Sequence, residues 1–210
     1  MLTEKSLVRF YINGIIKDIE KLQEFVRITL ISYTNQSPNE IPIYIRVIHW
    51  EDSFKKGSPI EMRGILGSVK DLQSTSPVLI ADSIFHRTES EVKQHSPTNT
   101  IAGEIFLIGD PKIITTVHPH HAFIYAGTGA LRLGPSFYGY RYNFELRLLR
   151  KNIAMAKTLR KGDVIKFTGV ITHKEGYGEF QIVAKEFQKL PNNNNNNHNN
   201  HEFKNARELA

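Results

Sequence analysis

Apolar and polar positions alternate in short runs along the first 87 residues. Val8 to Ile16 and Phe25 to Tyr33 are rich in β-branched and aromatic side chains, and the charged stretch Asp18-Ile19-Glu20-Lys21 divides them. That pattern predicts two strands of a hairpin. Three more runs follow, Ile43 to Trp50, Pro59 to Leu66 and Val78 to Phe85, separated by turn-rich segments such as Asn35-Gln36-Ser37-Pro38-Asn39 and Lys55-Lys56-Gly57-Ser58. Five strands in about 80 residues are what a small closed barrel requires.

Residues 88–100 are polar, without periodicity, and contain Ser96-Pro97-Thr98-Asn99, so they are expected to be a linker. The same order of signals then returns: Ile101 to Ile108, Ala122 to Ala126, Tyr142 to Leu149, a short helical patch, Asp163 to Ile171, and Glu179 to Phe187. The two halves share a turn of the same design. Lys55-Lys56-Gly57 leads to Gly64, and Arg160-Lys161-Gly162 leads to Gly169, with the same seven-residue step between glycines. A glycine inside a bent barrel strand relieves crowding at a bulge or coil. The expected organisation is a mainly all-β chain of two tandem OB-fold barrels, 1–87 and 101–190, with a short helix in the second. The asparagine-rich segment 191–210 cannot build a core and is expected to be disordered.

Composition narrows the function classes. The chain of 210 residues has no cysteine, which removes disulfide frameworks, thiolate zinc sites and cysteine nucleophiles. No apolar run reaches the roughly 20 residues needed to span a bilayer, and the opening Met-Leu-Thr-Glu-Lys-Ser-Leu lacks the apolar core of a secretory signal. The expectation is a soluble intracellular protein of cytoplasm, nucleoid or nucleus, with no membrane partner. The formal charge of +6 is unevenly placed: residues 1–95 hold 12 Lys+Arg and 12 Asp+Glu, residues 96–190 hold 13 and 7, and the remainder 2 and 2. A phosphate-binding footprint therefore belongs mainly to the second half.

The stretch Ala154 to Ile171, with Leu159-Arg160-Lys161-Gly162 feeding a strand that ends at Gly169, resembles bacterial single-stranded-DNA-binding proteins. In that family a short helix leads through a Leu-x-Lys-Gly turn into the fourth barrel strand. Val183 to Leu190 is similar to the family's last strand. The resemblance covers about 50 residues of the second half and is fainter in the first. It implies an OB fold and single-strand binding. Two features depart from the family: its acidic, phenylalanine-ended tail is not matched by Asn205-Ala206-Arg207-Glu208-Leu209-Ala210, and its usual members carry one barrel per chain and form tetramers.

Binding a single strand without sequence preference calls for aromatic faces to stack bases and cations to neutralise phosphates. Leu131 to Tyr142 supplies both: Phe137, Tyr138, Tyr140 and Tyr142 as stacking candidates, with Arg132 and Arg141 for phosphates. Tyr140 and Tyr142 are equally readable as barrel core. Lys174 and Tyr177 lie in the glycine-rich turn before the last strand, a loop that often closes over OB-fold ligands. In the first half, Trp50, Lys55 and Lys56 are candidates, with core burial the competing reading for Trp50. The histidines around Pro119 have no evident ligand shell, and no metal or cofactor is expected. No nucleophile elbow, phosphate-binding glycine loop or His-Glu-x-x-His is present, so no enzyme is expected. The functional expectation is sequence-tolerant binding of single-stranded DNA, with RNA also compatible, in replication, recombination or repair. The alternative is an OB-fold adaptor that holds proteins together in a replication or telomere-like complex, and replication or repair proteins are compatible partners. Homo-oligomers are compatible with either.

Overall fold

Alternation in the first half translates directly into a barrel. The computed structural model describes residues 8–34, 37–67, 77–94, 99–114, 121–127, 143–172 and 180–191. Strands β1 (Arg9–Lys21), β2 (Phe25–Thr34), β3 (Ser37–Arg46), β4 (Pro59–Gly67) and β5 (Val78–His86) pair in the order β1-β2-β3-β5-β4-β1. The ring is closed, with one parallel junction where Tyr44 and Ile45 meet Ile80 and Ala81. Phe10, Ile12, Ile16, Ile28, Leu30, Ile41, Ile43, Met62 and Leu79 point inward and are buried.

Several boundaries differ from the sequence reading, and β3 already begins at Ser37, inside the segment read as a turn, because Ser37 to Asn39 continue the ladder opposite Thr34 to Ser32. The charged stretch Asp18 to Lys21 is not a turn but the end of β1, and the hairpin turns at Leu22 to Glu24. Its charges are tolerated because alternation still holds: Ile19 packs on the core while Asp18 and Glu20 are exposed opposite Thr29 and Arg27. The third strand ends at Arg46, and Val47–His49 forms a single 3-10 turn that leaves Trp50 outside the strand.

Helix α1 (Glu89–Gln94) forms within the stretch read as a linker. Thr88 and Glu91 make a reciprocal cap: the Thr88 N–H donates to the Glu91 carboxylate at 2.6 Å, and the Glu91 N–H donates to Thr88 Oγ1 at 3.3 Å. Then follow β6 (Asn99–Leu107), β7 (Lys112–Ile114), β8 (His121–Gly127), β9 (Asn143–Leu148), α2 (Ile153–Ala156), β10 (Val164–Thr172) and β11 (Gln181–Lys189). β6 pairs with β10 and β8, β8 with β7 and β9, and β11 with β10 and, in parallel, β9.

The shared turn is the same structure twice. Gly57 and Gly162 have φ of 88° and 89°, which a residue with a Cβ adopts only under strain. The Lys55 N–H donates to Ser58 Oγ as the Arg160 N–H donates to Asp163 Oδ2. Gly57 and Gly162 both donate 2.8 Å bonds to a carbonyl of the strand alongside, Ile16 and Leu107. Three residues before each glycine a buried apolar side chain, Phe54 or Leu159, packs on the core. Gly64 and Gly169 sit where the ladder slips by one residue. A Cβ there would lie 2.0 Å from the Ile80 carbonyl oxygen and 2.5 Å from that of Val183.

The halves meet through β1 and β6, which pair from Arg9 opposite Ala102 to Ile12 opposite Asn99. As β6 turns away from β10 toward β1, the buried Asn99 side chain continues the old ladder. Its Nδ2 donates to the Ile171 carbonyl at 2.7 Å, and its Oδ1 accepts the Ile171 N–H at 2.9 Å. Strands β5, β4, β1, β6, β10 and β11 thus form one continuous antiparallel sheet.

Candidate nucleic-acid interface

OB barrels take oligonucleotides on the outer face of their second and third strands. In the first half that face is built from β1, β2 and β3, in cross-strand rows set by register. One row runs Glu20, Arg27, Tyr44; the next runs Asp18, Thr29, Pro42; the third places Glu40 opposite Ile31. Tyr44 is buried in a small outer cluster with Phe25, Ile65, Val78 and Ile80, so it is packed rather than available for stacking.

Four cations beside this face each hold a carboxylate. Lys17 holds Glu40, Arg27 holds Glu20 at 3.4 Å, Lys21 holds Asp52 at 3.1 Å, and Lys56 holds Asp18. The Lys56 ammonium and then the Ile19 N–H keep the Asp18 carboxyl below its ordinary range, so it stays ionised. Pairs this exposed contribute little to stability. Their main effect is on the field outside the barrel.

A second charged group lies on the outer face of the continuous sheet. Glu61 is buried there, accepting from the Tyr11 hydroxyl at 2.6 Å, from Arg63 Nε at 3.0 Å, and from Arg87 Nε and Nη2 at 2.9 and 2.6 Å. Burial works against its ionisation, but the Tyr11, Arg87 and Arg63 bonds prevail and hold the carboxyl below its ordinary range. Burial, followed by the bond to Glu61, pushes the Tyr11 hydroxyl up. Arg63 lies over the rings of Tyr11 and Phe85, at 5.1 and 5.5 Å, and Arg87 lies 5.9 Å from the Phe85 centroid. These cations are committed to a structural carboxylate.

Of the residues singled out in the sequence, Trp50, Lys55 and Lys56 are described. Trp50 is partly buried against the core, its ring tilted on Phe54 at 5.6 Å, and Phe54 in turn stacks on His86 at 4.2 Å. Lys55 and Lys56 are exposed on the shared turn, Lys56 in its pair with Asp18. Arg132, Phe137, Tyr138, Tyr140, Arg141, Tyr142, Lys174 and Tyr177 lie outside the described residues, as do His118 and His120.

In the second half, the backbone register of β8 against β9 sets Phe123 opposite Arg147 and Tyr125 opposite Glu145. Exposed cations are concentrated around α2 and the shared turn. Lys151, Lys157, Lys161, Lys166 and Lys185 are exposed and stand in no ion pair among the described residues. Lys189 pairs with the buried Asp163 at 2.7 Å. Among the described residues no group of acidic and histidine side chains could hold a metal, and no helix is long and apolar enough to cross a membrane.

No protein-family profile and no curated protein matches the chain. Among solved structures it is similar to the wild-type single-stranded DNA binding protein from Thermus aquaticus, with a TM-score of 0.65 at 18% identity, covering 89% of this chain and 94% of that one. A deletion mutant of the same Thermus protein gives 0.67 at 16% identity, over 90% and 97% of the two chains. The small single-stranded DNA-binding protein from Streptomyces coelicolor covers 43% of this chain and 91% of its own, with a TM-score of 0.35 and 14% identity. The Thermus similarity establishes a shared fold.

Proposed function

We propose that this protein binds single-stranded DNA without sequence preference, acting passively in replication, recombination or repair. The observation that carries the reading is the fold shared with the Thermus single-stranded DNA binding protein over nearly the whole of both chains. The exposed cations of the second half that stand in no ion pair among the described residues add to it, since they are the groups that release counterions when a phosphate backbone arrives.

The proposal includes a second barrel. β6, β10, β11, β9 and β8 repeat the pairing order of the first half, parallel junction included, and the shared turn repeats bond for bond. The division proposed is 1–87 and 101–190, joined through residues 88–100, with 191–210 as a tail. Self-association is proposed through the outer face of the continuous sheet. Arg9 and Lys166 lie there with Glu104 and Glu186, a mixed-sign surface suited to meeting its own copy.

The bases are proposed to stack on Phe137, Tyr138, Tyr140 and Tyr142, with Tyr177 and Trp50 at the margins. Phosphates fall to Arg132, Arg141, Lys174, Lys55 and Lys56. The test is a titration with oligothymidine, oligouridine and duplex DNA across a salt series. Binding of oligothymidine that weakens steeply with salt is expected, with duplex weaker throughout; salt-insensitive or absent strand binding would overturn the reading and favour a protein-binding adaptor. Tyr138→Ala should weaken binding by about 1–3 kcal/mol at an unchanged salt slope. Arg141→Ala should flatten the slope by about one phosphate contact.

A further inference from the structure

Lys17, Lys21, Arg27 and Lys56 surround the end of β1 and the start of β2, on the face where an OB barrel receives a strand. Each already holds a carboxylate: Glu40, Asp52, Glu20 and Asp18. A phosphate arriving there meets cations whose charge is locally cancelled, and it gains little until a carboxylate swings away. The pairs do not lock the surface, because the carboxylates are 49–87% exposed and free to turn into solvent. Lys151, Lys157, Lys161, Lys166 and Lys185 of the second half carry no such partners among the described residues. The equal numbers of acidic and basic residues in 1–95 are thus not a dilute average. Four of the cations beside the strand-receiving face are set one against one with carboxylates, while Lys55 next to Lys56 stands in no ion pair among the described residues.

We propose that Asp18, Glu20, Glu40 and Asp52 act as built-in phosphate mimics that hold the first half's strand-receiving face in a low-affinity state. The second half then captures the strand, and the first half joins as phosphates displace the carboxylates. This rests on the reading of the chain as a single-strand binder. Removing the mimics strengthens binding, the opposite of what mutating a contact surface does.

The experiment compares two variants of the full chain with equal added charge. One is Asp18→Asn, Glu20→Gln, Glu40→Gln together; the other is Asp82→Asn, Glu89→Gln, Glu202→Gln, none of them in the four ion pairs or among the charges proposed for self-association. Both are first checked for the parent's cooperative melting, and Glu40→Gln alone serves as a minimal variant. The probe is fluorescently labelled oligothymidine of about 35 nucleotides, enough for two barrels at up to roughly 16 nucleotides each. Salt is varied through anisotropy titrations.

For the first variant the expected result is at least a tenfold gain in affinity at low salt. The slope of log affinity against log salt should steepen by about 2, roughly 0.7 for each of three freed cations. Glu40→Gln should give about a third of that steepening, and the control variant less than a threefold gain at an unchanged slope. Equal gains in the two triple variants, or none in either, would overturn the inference while leaving single-strand binding intact. A parent that binds no oligothymidine at any salt would overturn the functional reading and the inference with it.

Discussion

Replacing Glu61 with glutamine isolates the buried carboxylate on which β1, β4 and the approach to α1 converge. Glutamine keeps the shape and one acceptor oxygen but presents an amide NH2 where Glu61 Oε2 receives the Tyr11 hydroxyl and both Arg87 nitrogens. Hydrogen bonds to a charged group contribute about 1.5–3 kcal/mol each when shielded from water. The Arg63 guanidinium is 54% exposed, so its share is screened to about 0–1 kcal/mol. Taking the low end for Tyr11 and for Arg87, which is one-third exposed, the expected loss is about 3 kcal/mol. For a chain of this size that lowers Tm by about 6–12 °C.

The sign of the pH dependence gives a second check. The folded Glu61 carboxyl sits below its ordinary range, so its contribution is present above the unfolded value, about 4.3, and is lost as pH falls through the folded one. Thermal melting of parent and variant from pH 7 downward should therefore show a gap that closes on acidification. A Tm within about 2 °C of the parent at pH 7, or a gap that persists in strong acid, would refute the assignment of Glu61 as an ionised anchor.

The glycines give a graded series. Gly64→Ala and Gly169→Ala force a Cβ against backbone oxygens and should each cost about 1–3 kcal/mol or more in denaturant unfolding, Gly64 the larger. Gly67→Ala meets only the tip of Ile80 at 2.8 Å, which can rotate, so its midpoint should stay within about 1 kcal/mol of the parent. Thr88→Ala removes the reciprocal cap of α1 and should cost about 1 kcal/mol, seen as faster amide exchange in residues 89–94 ahead of any change in the barrel.

The strands were legible because alternation is a local property, and a residue two positions along always returns to the same face. The shared turn was legible for a related reason: Gly57 and Gly162 occupy a backbone conformation that few other residues accept, so the requirement is written at one position. Of the candidate site, Trp50 packs partly on the core, and the aromatic-arginine stretch lies outside the described residues.

What local pattern could not supply was partnership. Asp18 to Lys21 looks like a turn until Arg27, Asp52 and Lys56 are brought beside it from elsewhere in the chain. Glu61 looks like an ordinary exposed strand carboxylate until Tyr11 and Arg87, 50 and 26 residues away, close over it. The join between β1 and β6, with Asn99 standing in for a strand, has no signature in either segment alone. Composition fixed how many charges the first half holds. Only closure of the barrel, which sets strands distant in sequence side by side in one register, decided which of those charges cancel.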